Sequence, residues 1–256
     1  MQTHRIVSRE EWLAARKAHL IHEKETTRQL DRLAVERRNL PWVKVEKDYL
    51  FEGARGRQTL GQLFGRHSQL FIYHFMFGPT WQQGCPSCSF LADHIDGADR
   101  HLSHHDVSVV VVSRAPWALI AAFKQRMGWH FDWVSSYDSD FNFDYHVSFT
   151  ELDQAKGCAY YNFTEGDYLF DEMPGISVFF KDDDDTVYHT YSAYARGDDI
   201  LIGAHNFLDM TPKGRNEGHT MDWVRHHDRY DEAKMPDCCA AATDPVSEAR
   251  SQGRLR

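Results

Sequence analysis

Leu70-Phe71-Ile72-Tyr73-His74-Phe75-Met76-Phe77, ended by Gly78-Pro79, is the stretch that decides the fold. Its apolar side chains do not alternate with polar ones, so both faces of the strand are predicted to be buried, as in the centre of a parallel or mixed sheet. The loop Thr80 to Gly84 leads into Cys85-Pro86-Ser87-Cys88, and Ser89-Phe90-Leu91-Ala92-Asp93-His94-Ile95 reads as helix. Buried strand, short loop, Cys-x-x-Cys and helix is the arrangement of a redox dithiol. Cys85 at a helix N-terminus meets unpaired backbone N–H groups and the positive end of the dipole, which favour thiolate over thiol. Cys88, one turn on and against Phe90 and Leu91, is placed to close a disulfide and release whatever an exposed Cys85 has attacked.

Working outward, a second buried strand is predicted over Asp106 to Ser113, centred on four consecutive valines. Pro116 suits a first helical turn, and Trp117, Leu119, Ile120, Phe123 and Met127 give a helical stripe that Gly128 closes. Trp133-Val134-Ser135 fits a short strand, whereas 136–171 is aromatic and polar without clear period and reads as an insertion. Pro174-Gly175 precede a strand at Ile176 to Phe180; Asp182 to Asp185 form a turn, and Thr186 to Tyr194 returns as a strand. Upstream, Val43, Val45, Tyr49 and Phe51 are read as a hairpin around Glu46-Lys47-Asp48, Gly53 and Gly56 as the next turn, and Leu60, Leu63 and Phe64 as a short helix. The order is that of an α/β layer with parallel central strands and a right-handed connection. Its crevice is expected at the carboxyl ends of the strands, where the cysteines lie.

Ser8-Arg9-Glu10-Glu11 fits a capping box, and Leu13, Leu20, Ile21, Leu30, Leu33 and Ala34 leave an apolar stripe that ends before Pro41. This arm, with nine Lys or Arg and six Asp or Glu, is read as a helix covering one side of the core, with docking or dimerisation as the alternative. The predicted organisation is an N-terminal helical arm at 1–40, the main domain at 41–212 with its insertion at about 136–171, and a C-terminal extension at 213–256. In that extension a helix is expected around Met221 to Glu232, with a flexible run from Cys238.

The chain has 256 residues, 29 Lys and Arg against 38 Asp and Glu, and net charge −9, which disfavours a nucleic-acid partner. The longest aliphatic run, Val109 to Val112, falls far short of the roughly 20 apolar residues that cross a bilayer, so no membrane partner is expected. Five cysteines, at 85, 88, 158, 238 and 239, make an odd number and no disulfide framework. A cytoplasmic setting with reduced thiols is expected. The Cys-x-x-Cys by itself leaves three readings open: a redox pair, a structural pair, or half of a metal site holding zinc or copper with a histidine. A zinc ribbon needs a second such pair, and Cys238-Cys239 lies about 150 residues away, so no metal and no cofactor are expected. Of the sixteen histidines, His101, His104, His105, His226 and His227 invite a metal reading, but a solvated helix–strand connection accounts for the first three. His74 reads as a hydrogen-bonded core histidine, the four aspartates as a solvated turn, and Cys158 as inert.

The strand Tyr73 to Phe77 and Gly84-Cys85-Pro86-Ser87-Cys88-Ser89 resemble an uncharacterised bacterial thioredoxin-like family. Further matches are Val112-Ser113-Arg114-Ala115-Pro116, Met127-Gly128-Trp129, Tyr191 to Gly197 and Leu208 to Arg215, so the resemblance covers roughly residues 8 to 218. It implies a thioredoxin-like α/β sandwich with a central mixed sheet and peroxiredoxin-like decorations. Under it, Cys85 and Cys88 are the catalytic pair of a thiol–disulfide oxidoreductase. Trp81, Gly84, Pro86, Ser87, Met173 and Pro174 line its substrate groove, with Met173-Pro174 expected cis, facing the cysteines. The substrate would be a protein or small-molecule thiol or disulfide. Two features depart from better-known relatives: Gly84 stands where thioredoxins carry tryptophan, and Gln82 where peroxiredoxins carry threonine. They favour dithiol exchange over peroxidase chemistry. The alternative from another class is a non-catalytic binding module built on the same loop, and a homodimer through the helical arm remains an expectation.

Overall fold

The structure is a computed structural model that describes residues 4–167 and 170–230. The chain divides into two units, the boundary falling within β1 (Val43–Lys44). The first is dominated by α1 (Arg9–Arg38). Ser8 caps it as the sequence implies: Glu11 N–H donates to Ser8 Oγ at 3.2 Å, and Ser8 N–H donates to Glu11 Oε2 at 3.0 Å. None of the residues of α1 is buried. Arg16, Glu23 and Thr27 interrupt the leucine stripe at helical spacing.

The second unit is built on one mixed sheet. Its strands are β1 (Val43–Lys44), β2 (Leu50–Gly53), β3 (Gly56–Thr59), β4 (Gln69–His74), β5 (Val107–Ser113), β6 (Asp132–Ser135), β9 (Gly175–Lys181) and β10 (Val187–Tyr194). They lie in the order β1-β10-β9-β4-β5-β6-β2-β3. β4, β5 and β6 are parallel, whereas β9 runs antiparallel to β4 and forms a hairpin with β10. Parallel neighbours need crossovers, and α3 (Pro86–His104) and α4 (Trp117–Met127) supply them, α4 closing on Gly128 in the left-handed region at φ 66°. The order β5-β4-β9-β10, with the cysteines at the end of β4, is a thioredoxin-like core.

Alternate residues of β4 serve opposite faces. Tyr73, Phe75 and Phe77 join α3, α4, Trp129, Phe131 and Trp133 on one side, while Leu70 and Ile72 join Val110, Val112, Phe141 and Phe179 on the other. That double burial is why the strand shows no alternation in sequence.

Three readings are corrected. The first hairpin is Leu50–Gly53 with Gly56–Thr59, turning at Gly53 to Gly56, while Val45 N–H donates instead to Val187 O. Residues 221–230 form turns and a short 3-10 helix, His227–Arg229, not a helix, because their contacts are long-range side-chain anchors (below). Met173-Pro174 is trans; no cis peptide bond occurs among the described residues. The insertion folds as α5 (Phe141–Asp144), α6 (Glu151–Lys156) and the hairpin β7 (Ala159–Tyr161) and β8 (Thr164–Gly166), with its own apolar cluster. Cys238, Cys239 and the rest of the run beyond Tyr230 lie outside the described residues.

Candidate functional site

Cys85 is the N-cap of α3 and Pro86 its first residue, where a missing N–H costs nothing. The backbone holds Cys85 from both sides. Its N–H donates to Met76 O at 3.1 Å, and its carbonyl accepts from the N–H and the Oγ of Ser89, each at 2.9 Å. Cys85 and Cys88 are both thiols. Their relative exposures are 9% and 3%, so the expected exposed Cys85 is instead covered. Burial first, then the hydrogen bond and charge of Cys85, push the Cys88 thiol well above its ordinary range, while the Tyr73 hydroxyl and the Met76 backbone act the other way. Tyr73 is itself pushed up by burial and then by the fields of Cys88 and Asp198. Asp198, buried beside Asp199, is pushed up to about 7. The two cysteines and the Tyr73 hydroxyl are thus buried neighbours, and the buried Asp198 lies near enough to act on Tyr73.

The loop before the cysteines is fixed by packing. A Cβ on Gly84 would lie 2.5 Å from the Phe75 ring and 2.9 Å from the Phe123 ring, so no larger residue fits there. Trp81 Nε1–H donates to Asp171 Oδ2 at 3.2 Å and closes over Gly78, whose added Cβ would meet the indole at 2.8 Å. Ser87 is half-buried on the first turn of α3.

From the far end of the chain, His226 Nε2 donates to Gly84 O at 2.9 Å. Arg126 Nη1 donates to Gln83 Oε1 at 3.1 Å, its Nη2 faces His226 Nδ1 at 3.2 Å, and Nε and Nη2 fork onto Asp228 at 2.9 Å each.

Met173 and Pro174 are engaged elsewhere. Met173 N–H donates to Val147 O at 2.8 Å, and Tyr161 Oη donates to Pro174 O at 2.7 Å, so the insertion occupies the backbone groups expected to meet substrate. Beside them Glu172, buried and pushed up to about 8, accepts from Ser148 Oγ and from Arg114 Nη1 at 3.1 Å. Among the described residues no group of three or more His, Cys, Asp or Glu side chains is arranged to hold a metal. Sequence reasoning passed over Tyr73, Gln83, Arg126 and Asp198, and singled out His226 only as a metal candidate. Only a long-range contact distinguishes them, and spacing along the chain does not carry it.

A family model described as bacterial protein of unknown function, DUF899, matches residues 1–230. No curated protein matches the chain. Among solved structures, the chain is similar to peroxidoxin BcpB from Mycobacterium tuberculosis at 15% identity and TM-score 0.44, over 64% of this chain and 94% of that one. It is also similar to peroxiredoxin Q from Xanthomonas campestris at 12% identity and TM-score 0.39, over 61% and 90%. A third is the mitochondrial 2-Cys peroxiredoxin from Plasmodium falciparum, at 11% identity and TM-score 0.36, over 65% and 91%.

Proposed function

We propose, for a chain that belongs to the DUF899 family of bacterial proteins, that Cys85 and Cys88 are a dithiol that reduces disulfides by exchange. The observation that carries this reading is the placement of two buried free thiols at the start of α3, with Cys85 as the cap and Cys88 one turn inside. In the first step the Cys85 thiolate attacks one sulfur of a substrate disulfide, forming a mixed disulfide and expelling the other sulfur as thiolate. In the second, Cys88 loses its proton and attacks Cys85 Sγ, so the substrate's second sulfur leaves and the Cys85–Cys88 disulfide closes. Two electrons pass to the substrate, and an external dithiol returns them by the reverse exchange.

The raised Cys88 thiol suits the second step. It stays protonated while Cys85 waits, and the Tyr73 hydroxyl supports its thiolate once formed.

Insulin reduction with a dithiol donor tests the reading. Wild type is expected to be active, Cys85→Ser to fall to background, and Cys88→Ser to accumulate a mixed disulfide on Cys85. Wild-type activity no greater than that of Cys85→Ser would overturn dithiol exchange. Consumption of peroxide under those conditions would replace it with peroxidase chemistry.

A further inference from the structure

The segment that follows α7 (Gly203–Asp209) returns across the start of α3. Val224 is buried in the cluster that contains both cysteines. Trp223 lies edge-on to Phe90, and the His226 ring edge-on to Phe123, at 5.5 and 5.3 Å between centroids. His227 Nδ1 meets Asp93 Oδ1 at 2.7 Å, and Asp228 takes the fork of Arg126. Each anchor sits on α3, on α4 or on the loop between β4 and Cys85.

His226 makes the contact nearest the chemistry. Gly84 O, a carbonyl, can only accept, so Nε2 carries the proton. Arg126 Nη2 can only donate, so Nδ1 is bare. The ring is therefore neutral, and burial, the largest influence on it, holds its pKa below the ordinary value, with Arg126 and Arg229 acting the same way and the Gly84 carbonyl and Asp228 against them. The peptide between Gly84 and Cys85 is thus fixed at both polar atoms: its oxygen by His226 and its N–H by Met76 O. Exposed on a surface, either bond would exchange with water; both are buried and directional, so they define where the Cys85 backbone lies.

We propose that Val224–Asp228 is a docked cover over the dithiol, that His226 is the residue positioning Cys85 beneath it, and that a substrate disulfide reaches Cys85 only when this segment lifts. The proposal rests on Cys85 being the reacting thiol of the reading above. It accounts for a feature that reading leaves open: a nucleophile at a helix cap that is nonetheless covered. Lifting exposes Cys85, and redocking re-forms the Gly84–His226 bond and the Arg126–Asp228 fork.

Iodoacetamide labelling of the reduced full-length protein, read by peptide mass spectrometry at each cysteine, tests the cover without any enzymatic assay. His226→Ala is expected to label Cys85 about tenfold faster than wild type, the equivalent of losing one buried hydrogen bond. His226→Gln, which keeps a donor near the Nε2 position, is expected to return to within about twofold of wild type. Asp228→Asn, at a partly exposed position and leaving the His226 contact in place, is expected to accelerate labelling by a smaller factor. It also keeps the test open if His226→Ala fails to fold. Equal Cys85 rates in wild type, His226→Ala and Asp228→Asn would overturn the cover. So would equal acceleration in His226→Ala and His226→Gln. Faster labelling of Cys88 than of Cys85 in His226→Ala, where the segment is released, would instead overturn the dithiol reading on which the cover rests.

Discussion

Tyr73 and His74 are neighbours on β4, and each begins a buried polar chain on its own face of the sheet. On one face, the Tyr73 hydroxyl meets Cys88, which meets Cys85. On the other, His74 Nε2 meets Ser177 Oγ at 2.9 Å, Ser177 meets Ser192 at 3.0 Å, and Ser192 meets His189 at 2.8 Å. The second chain contains a serine–histidine pair, yet it lacks what would make the serine a nucleophile. His74 Nδ1 has no hydrogen-bond partner to orient and charge the ring, and the ring is stacked on Phe141 and Tyr145. A nucleophile needs a base that is itself oriented by a third group. The thiol chain ends at a helix terminus under a segment held by side-chain anchors, whereas the histidine chain ends within the sheet. What a buried polar chain ends on separates chemistry from structure here, more than the polarity of its members.

The largest effect that would sharpen this contrast is acid lability from the histidine face. Burial, and then His189, lower the His74 pKa from 6.5 to about 3. The neutral ring therefore contributes stability that is present above pH 6.5 and lost as the pH falls toward 3. The full gap is worth about 5 kcal/mol at about 1.4 kcal/mol per pH unit, of which about 2 kcal/mol is lost by pH 5. Urea unfolding at pH 7 and pH 5 should show a loss larger in wild type than in His74→Leu by about 2 kcal/mol. An equal loss in both proteins would move the acid-sensitive groups to the thiol face, where His205 and His226 are buried histidines whose pKa burial lowers.

A smaller effect is expected at Gly84. Alanine there drives a methyl group into the Phe75 and Phe123 rings, a clash of the kind that costs about 1–3 kcal/mol. A lowered melting temperature together with lost disulfide reduction is expected, because the only escape is to move the loop that carries Cys85. A normal melting temperature and normal turnover would show that the loop yields easily, which would undo the argument that packing fixes the thiol.

The smallest effect is Tyr73→Phe, which removes one hydroxyl worth about 0.5–1.5 kcal/mol to the Cys88 thiolate. Stopped-flow measurement of mixed-disulfide resolution should slow by about twofold to tenfold, with Cys85 attack little changed. If Ser177→Ala slowed that step and Tyr73→Phe did not, the two faces would have exchanged roles.

Much of the frame was legible in the sequence. The strands at 70–77 and 106–113 were readable because residues buried on both faces leave nearly continuous apolar runs, and those at 176–180 and 186–194 because the four aspartates mark the turn between them. Pro116 and Gly128 bracketed α4 through their fixed and left-handed backbone preferences. The first hairpin was misplaced because Val43 and Val45 alternate like a strand, yet the β2–β3 turn is at Gly53 to Gly56, and Val45 pairs with Val187, far along the chain. The Met173–Pro174 expectation carried over a groove whose backbone groups the insertion occupies here. The burial of Cys85 was invisible for a related reason: Gly84, Arg126 and His226 meet only after the sheet has brought three distant segments together.

The helix α1 has a consequence for time rather than for geometry. Its 30 residues contain none that is buried, and its Ser8–Glu11 box and its Arg16–Glu23 and Arg32–Glu25 ion pairs lie along its own length. Such a helix frays and reforms by itself, on a microsecond scale for isolated helices of about 20 residues, and its amide protons are open to solvent through that local motion. The amides of β4 and β5, paired on both sides within the sheet, wait for larger openings. The chain thus carries two clocks, a fast one at its start and a slow one around its cysteines.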